Sequence, residues 1–118
     1  MEIKLYDAEY RFINIIWELE PINSTELVKE CSARLGWKKS TTYTMIKKLS
    51  DRAILRNEDT MVSTLIKREE IIKMESEALM KKSFDNSLPA FLATFLQDKK
   101  LTATEAEKIK KMIEEATE

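Results

Sequence analysis

The first half of the chain carries apolar side chains at the three- and four-residue spacing of amphipathic helices. The spacing predicts one helix from residue 6 or 7 to about 19, ended by Pro21, and a second from residue 23 or 24 to 35. Gly36 then supplies the left-handed residue that commonly follows a helix. A third helix is predicted over about 39–53. Its buried face is predicted to hold Thr42, Met45, Ile46, Leu49 and Ala53.

Two short segments rich in β-forming residues follow, over 54–57 and 61–66, with turn formers between them. They predict a two-stranded wing. From residue 67 the helical spacing returns and predicts a fourth helix that ends near residue 83. Ser87, followed by a proline, is suited to cap a fifth helix, and Thr102, with a glutamate three residues later, to cap a sixth.

The order of these elements predicts a mainly α protein with a winged helix-turn-helix at its N-terminal end, followed by further helices. The fifth helix is apolar over most of its circumference and therefore needs a partner. A second copy of the chain is the simplest source, because two-fold homodimers are the commonest soluble oligomers. The residues predicted to form the dimer contact are Ile71, Leu88, Phe91, Leu92, Phe95, Leu96, Ile109, Met112 and Ile113.

The composition argues against catalysis and against a bound metal. The chain has no histidine and a single cysteine, so zinc, haem and thiolate-copper sites have almost no ligands, and no metal or cofactor is expected. Its one glycine excludes a glycine-rich phosphate-binding loop. Cys31 lies on the apolar stripe of the second helix and is interpreted as a small core residue. We therefore expect a binding protein rather than an enzyme.

Both the N terminus and the apolar stretches favour a cytoplasmic location. Residues 1–5 have neither the basic region nor the apolar run of a signal peptide. The apolar stretch 88–96 is far too short to span a bilayer, so no membrane insertion is expected.

Charge is unevenly distributed along the chain. The net charge of −1 argues mildly against nucleic-acid binding, because such domains are often strongly basic. Residues 32–50, however, include no acid and five basic side chains. A solvated helix face is an equally good explanation of the charge alone, although such a face normally mixes glutamate with lysine.

The outward face of the third helix has the chemistry of base recognition. Hydroxyl groups can donate to or accept from base edges, and a threonine methyl group or a tyrosine ring can pack on a thymine methyl group. The residues predicted to read bases are Lys39, Ser40, Thr41, Tyr43 and Thr44. Those predicted to contact phosphates are Lys38, Lys47, Lys48 and Arg56.

Each of these assignments has an alternative. The alternative for Tyr43 is a partly buried structural ring. Trp37 is interpreted as a core residue or a packing lid in preference to a platform for base stacking. The whole module also has an alternative as a winged-helix protein–protein interaction domain without specific DNA binding, since the fold by itself does not decide function.

The chain also resembles a known family. The run from Trp37 to Leu49, with Leu5–Glu9 and Ile15–Trp17 before it, is similar to the penicillinase and methicillin-resistance repressors, the BlaI/MecI-type winged-helix transcriptional regulators, and Ser87–Phe95 resembles their C-terminal region. The resemblance implies a winged-helix DNA-binding domain over 1–66, a helical dimerisation domain over 67–118 and a homodimeric repressor of genes with inverted-repeat operators. It also implies base-reading positions at Thr41 and Thr44, with Tyr43 between them.

The sequence departs from that family at two positions that bear on function. Tyr43 stands where the two name-giving repressors carry arginine, and tyrosine cannot make the bidentate arginine contact to guanine. In the β-lactam-responsive members a transmembrane sensor triggers proteolysis at an Asn-Phe bond, which corresponds here to Thr94–Phe95. The resemblance therefore implies a candidate cleavage site at this bond and a membrane sensor protease system as an indirect partner, while the inducer is not specified by the residues.

Overall fold

The computed structural model describes residues 3–118. Contacts among these residues divide the chain into two compact units, one that ends at Ala78 and one that covers Leu79–Glu118. The elements of the first unit, in chain order, are α1 (Asp7–Leu19), β1 (Ile22–Asn23), α2 (Ser24–Leu35), α3 (Lys39–Asp51), β2 (Leu55–Glu58), β3 (Met61–Thr64) and most of α4 (Arg68–Phe84). The predicted mainly α fold with an N-terminal winged helix-turn-helix is confirmed.

The core of the first unit lies where α1, α2 and α3 meet the small sheet. Fourteen apolar residues are buried there, with Phe12, Ile13 and Ile16 of α1 at its centre. Cys31 is fully buried among them, and burial raises the pKa of its thiol, which confirms the interpretation as a core residue. Trp37 stacks on the ring of Phe12 at a centroid distance of 5.5 Å, which confirms its interpretation as a packing residue.

The third helix ends two residues earlier than predicted. Ala53 has a left-handed φ of 59° and is exposed, so the prediction that it lies on the buried face was wrong. The left-handed residue reverses the chain after α3, so that Ile54 becomes the buried residue and donates its N–H to the Leu49 carbonyl at 2.9 Å.

Replacing Ala53 by glycine is expected to stabilise the protein by about 1 kcal/mol. A left-handed conformation costs an L-residue about 1–2 kcal/mol, which exceeds the entropy of about 0.5–1 kcal/mol that glycine loses on folding. Urea unfolding of both proteins gives the difference. Ala33→Gly is the matched control, because Ala33 is also exposed but lies inside α2, where glycine destabilises. Destabilisation of similar size by both changes would contradict the prediction.

The sheet contains three antiparallel strands in the order β1-β3-β2. The wing hairpin pairs Leu55 with Thr64 and Glu58 with Met61, close to the predicted segments, although β3 stops before residues 65 and 66. Asp59 and Thr60 form its two-residue turn with φ of 51° and 64°, the backbone of a type I′ turn. The strand β1, which pairs with β3, was not predicted, because two residues carry no alternation to recognise.

The second unit begins in the last turns of α4 and continues through α5 (Leu88–Phe95) and α6 (Ala103–Ala116). The predicted caps are present, since Ser87 accepts from the Ala90 N–H and Thr102 from the Glu105 N–H. The rings of Phe84, Phe91 and Phe95 pack in series within this unit. No residue of α5 or α6 is buried.

One predicted dimer contact was wrong. Ile71 has no exposed surface and belongs to the core of the first unit, so it has no surface left for a second copy. The boundary between the two compact units falls along the chain within α4, and the division into domains at 66 and 67 stays a prediction. Within residues 3–118 no helix is both long enough and apolar enough to cross a membrane.

Candidate nucleic-acid interface

The exposed face of α3 follows directly from what the helix buries. Thr42, Ile46 and Leu49 point into the core at i, i+4 and i+7. Met45 packs partly against the same core, whereas Tyr43, Thr44, Lys47 and Lys48 face outward. All five residues predicted to read bases are exposed: Lys39, Ser40, Thr41, Tyr43 and Thr44.

This face has the shape of a contact surface rather than of a ligand pocket. Its central depression of about 290 Å³ is open to solvent. Small-molecule sites are usually deeper clefts of about 300–1,000 Å³ that bury most of the ligand. The depression is lined by Ser40, Thr41, Thr44, Met45 and Lys48. In the described part of the chain, no three histidine, cysteine, aspartate or glutamate side chains come together as metal ligands.

Tyr43 projects from the middle of this face. Its side chain is 37% exposed, and the Lys39 ammonium group lies 6.0 Å from the centre of its ring. The ring is therefore partly buried, as its interpretation as a structural ring predicts, and also partly open to solvent. A phenol that is exposed on one side can offer both its ring and its hydroxyl group to a base edge.

The four basic residues predicted to contact phosphates differ in their surroundings. Lys38, at the N-cap of α3, is exposed and makes no ion pair with the residues that the structure describes. Lys47 pairs with Asp51 at 3.2 Å, but both side chains are largely exposed, and such pairs are weak enough to open. Lys48 is more constrained, since its ammonium group lies 3.0 Å from the buried Glu9 carboxylate. Arg56 resembles Lys47, because its pair with Glu58 at 3.6 Å also joins two exposed side chains.

A buried carboxylate that the sequence reasoning missed connects α1 to the end of α3. Glu9 is only 2% exposed, and its Oε2 atom lies 3.0 Å from the Lys48 ammonium nitrogen and 3.1 Å from a guanidinium nitrogen of Arg52. Its Oε1 atom accepts the Tyr6 N–H at 2.9 Å. Arg52 also donates to the Lys4 carbonyl at 2.7 Å. We name Glu9, Lys48 and Arg52 the Glu9 cluster.

The Glu9 cluster holds a charged carboxylate below the surface. Burial by itself raises the pKa of Glu9, but the Tyr6 N–H, Lys48 and Arg52 together more than offset this effect, so the pKa lies below its ordinary value. The sequence did contain a signal for this residue. Glu9 stands at i−3, i−4 and i−7 from Phe12, Ile13 and Ile16, which places a carboxylate on the buried stripe of α1.

The wing carries two acids beside Arg56, the residue predicted to contact phosphates. Arg56 lies on β2, but its guanidinium group is 3.6 Å from the Glu58 carboxylate, and Asp59 follows at the turn. Carboxylates at the tip repel phosphate, so the wing as a whole offers little electrostatic attraction to DNA.

Known proteins share both the sequence and the fold of this chain. The penicillinase repressor family model matches residues 5–115. A penicillinase repressor of Bacillus licheniformis is 23% identical over 116 residues, which cover 95% of this chain and 91% of that protein. The methicillin resistance regulatory protein MecI of Staphylococcus aureus is 22% identical over 120 residues, which cover 96% of this chain and 98% of that protein.

Among solved structures, the solution structure of the monomeric form of Bacillus licheniformis BlaI in complex with the blaP half-operator is similar to this chain. The similarity has a TM-score of 0.51 at 26% sequence identity and covers 59% of this chain and 90% of that one. That structure contains a DNA-bound protein with the same fold.

Proposed function

We propose that this chain, which belongs to the penicillinase repressor family, is a homodimeric transcriptional repressor that places α3 in the major groove of an inverted-repeat operator. The single observation that carries the proposal is the exposed face of α3 from Lys39 to Lys48, which holds no acid and is rich in hydroxyl groups, in a fold similar to that of a half-operator-bound repressor. Because the family consists of repressors, the expectation that the chain is not an enzyme is confirmed.

The proposal assigns distinct roles to residues on α3. Thr41, Tyr43 and Thr44, with Lys39 and Ser40 toward the N-terminal end, read base edges. Lys38 and Lys47 bind phosphates, since their ammonium groups are exposed and are unpaired or weakly paired among the residues that the structure describes. Lys48 is mainly committed to Glu9. Arg56, like Lys47, belongs to an exposed ion pair that is weak enough to open, and it then reaches the backbone.

A homodimer is supported by the surface of the second unit. Large apolar side chains on α5 and α6 are exposed in the single chain, although burying them would be favourable. Leu88 is 55% exposed and Met112 66% exposed, and Phe95 and Ile113 are each about half exposed. A second copy that contributes the same surface would cover them in the two-fold arrangement that an inverted repeat requires.

We propose that the repressor acts in the cytoplasm and that proteolysis releases it from its operator. The signal for proteolysis comes indirectly from a membrane sensor system. Thr94 and Phe95 are exposed, so a protease can reach the bond between them once the last turn of α5 opens. Cleavage there would leave Leu88, Phe91 and Leu92 on one fragment and Phe95 with α6 on the other, and so divide the proposed dimer surface.

A direct test is selection of genomic DNA fragments by the full chain, followed by fluorescence-anisotropy titration of the best fragment and a scrambled duplex over a salt series. We expect the selected DNA to contain an inverted repeat and to bind two chains per duplex. We also expect affinity to fall by about a thousandfold or more between 50 and 200 mM salt, as for six or more phosphate contacts. Equal, weak binding to every fragment would overturn the proposal and favour a protein-interaction module.

Substitutions on α3 should separate base reading from phosphate binding. Thr41→Ala and Tyr43→Ala are each expected to weaken operator binding by about tenfold or more while leaving scrambled-DNA binding nearly unchanged. Lys47→Ala should weaken both and reduce the slope of log affinity against log salt by about one per protomer. Anisotropy titrations measure all of these effects.

The matched controls lie in α6. Thr104 is exposed, and Lys110 pairs with Glu107 across an exposed turn much as Lys47 pairs with Asp51. Thr104→Ala and Lys110→Ala should leave both affinities unchanged. If Lys47→Ala altered sequence preference, or Tyr43→Ala altered the salt slope, the assignment of faces on α3 would be wrong.

A further inference from the structure

The beginning of α4 is attached to α1 at two places. The Trp17 indole N–H donates to the Ile66 carbonyl at 3.0 Å, just before the helix starts. Ile71, in the first turns of α4, is buried in the core beside α1 residues. Both contacts lie near one end of a helix of 17 residues, which is about 25 Å long.

A third contact lies one turn further along α4. The Tyr10 hydroxyl group donates to Oε1 of Glu75 at 2.7 Å, and the Tyr10 ring packs edge-on against Trp17 at 6.2 Å. Ile71 and Glu75 are four residues apart and so share the helix face that is turned toward α1. Burial and the hydrogen bond to Glu75 raise the pKa of Tyr10 to about 12, so its hydroxyl group keeps its proton at neutral pH.

The Tyr10–Glu75 contact limits the tilt of α4 relative to α1, because it lies further along α4 than the other two contacts. Without it, α4 is held near its first turns, while the stretch from Ile71 to Phe84 extends for about 20 Å. Ile71 is the one fully buried residue of this stretch, and Ile72 and Leu79 are exposed. A tilt of about 10° would then move the far end by about 3 Å, close to the ~3.4 Å rise of one base pair.

We propose that the Tyr10–Glu75 hydrogen bond holds α4 at one angle to α1 and thereby makes the repressor selective for the spacing between its two half-sites. The inference rests on the proposed function, because only a dimer on an inverted repeat reads a spacing. In that dimer α4 leads from the DNA-binding unit into the residues that pair with the second copy. Tyr10 and Glu75 are therefore positioning residues that need not contact DNA.

The experiment uses the full chain and duplexes built on the half-site recovered by genomic selection. One duplex has the natural spacing, others have one or two base pairs added or removed, and one has a single half-site. Each added base pair rotates the second half-site by about 34°, so a rigid dimer loses affinity steeply. For the wild type we expect the natural spacing to be preferred by about tenfold or more over a one-base-pair change.

Four variants isolate the hydrogen bond. Tyr10→Phe keeps the ring against Trp17 but loses the donor, and Glu75→Ala loses the acceptor, so both should reduce the spacing preference to about threefold or less. Their affinity for the single half-site should stay within about twofold of wild type, because α3 is unchanged. Glu75→Gln keeps an acceptor oxygen and should retain the preference. Tyr6→Phe is the matched control, because it removes the hydroxyl group of an exposed tyrosine at the N-cap of α1.

The outcomes separate the inference from the function beneath it. A wild-type spacing preference that Tyr10→Phe and Glu75→Ala both leave intact would overturn the inference, as would specific binding by the wild type with no preference among spacings. The inference would also fail if Tyr10→Phe lowered single half-site affinity as much as it lowered affinity for the natural operator, because the contact would then be purely structural. Absence of specific wild-type binding to any duplex would overturn the proposed function, and the inference with it.

Discussion

Replacing Leu88 by aspartate is expected to convert the dimer into monomers and to weaken operator binding by about a hundredfold or more, because the second half-site loses its linked partner. Leu88 is 55% exposed in the single chain, so the change removes little packing within that chain. Aspartate is also favourable in the first turn of a helix, so α5 itself should persist. Light scattering after gel filtration and operator titration measure the two effects.

Two further variants make this result interpretable. Ala90→Asp places the same charge in the same turn of α5 at an exposed position outside the predicted contact, and should remain dimeric. Phe91→Asp should also give monomers, although it additionally disrupts the ring contacts of Phe91 with Phe84 and Phe95. A well-folded dimer from both Leu88→Asp and Phe91→Asp would place the interface elsewhere.

Loss of the Arg52 guanidinium group is the second change with a large expected effect. Arg52→Ala leaves the buried Glu9 carboxylate with Lys48 as its one remaining basic partner in the Glu9 cluster. Breaking a buried pair usually costs about 3–5 kcal/mol, and because Arg52 is 35% exposed we expect about 2–3 kcal/mol. The midpoint of thermal unfolding of the first unit should fall by about 10–20 °C.

The effect of Arg52→Ala should depend on pH with a defined sign. The pKa of Glu9 is lowered in the folded protein, so the cluster stabilises the fold above the pKa of the unfolded carboxyl group, about 4.3. That stabilisation disappears as the pH falls through the folded pKa, and wild type and variant should then converge in stability. Unfolding measurements between pH 7 and pH 3 follow this change.

Arg34→Ala is the matched control for that experiment. Arg34 also pairs with two glutamates, Glu18 and Glu30, but all three side chains are exposed, so its loss should change stability much less. Equal losses from the two arginine substitutions, or a difference between wild type and Arg52→Ala that does not shrink as the pH is lowered from 7 toward 3, would contradict the role given to the Glu9 cluster.

Most of the candidate interface could be predicted from residues near one another in sequence. The stripe formed by Thr42, Ile46 and Leu49 determines which face of α3 is buried, and the residues on the opposite face must then be exposed in any fold that buries that stripe. The same reasoning gave the helix bounds and the caps at Ser87 and Thr102, since cap bonds span only three residues. The outward face of α3 from Lys39 to Lys48, which holds no acid, is therefore a consequence of local sequence.

The remaining features depend on which distant residues come together. The sequence determined the helices, the wing and the outward face of α3, because periodicity and capping act within a few residues. Only the tertiary structure decided that Lys48 pairs with a carboxylate 39 positions earlier and that Tyr10 contacts Glu75. It also decided that Ile71 is buried in the core of the first unit and does not lie at a dimer contact. Contacts between separate helices depend on how those helices pack, and packing brings together side chains whose spacing in sequence carries no period.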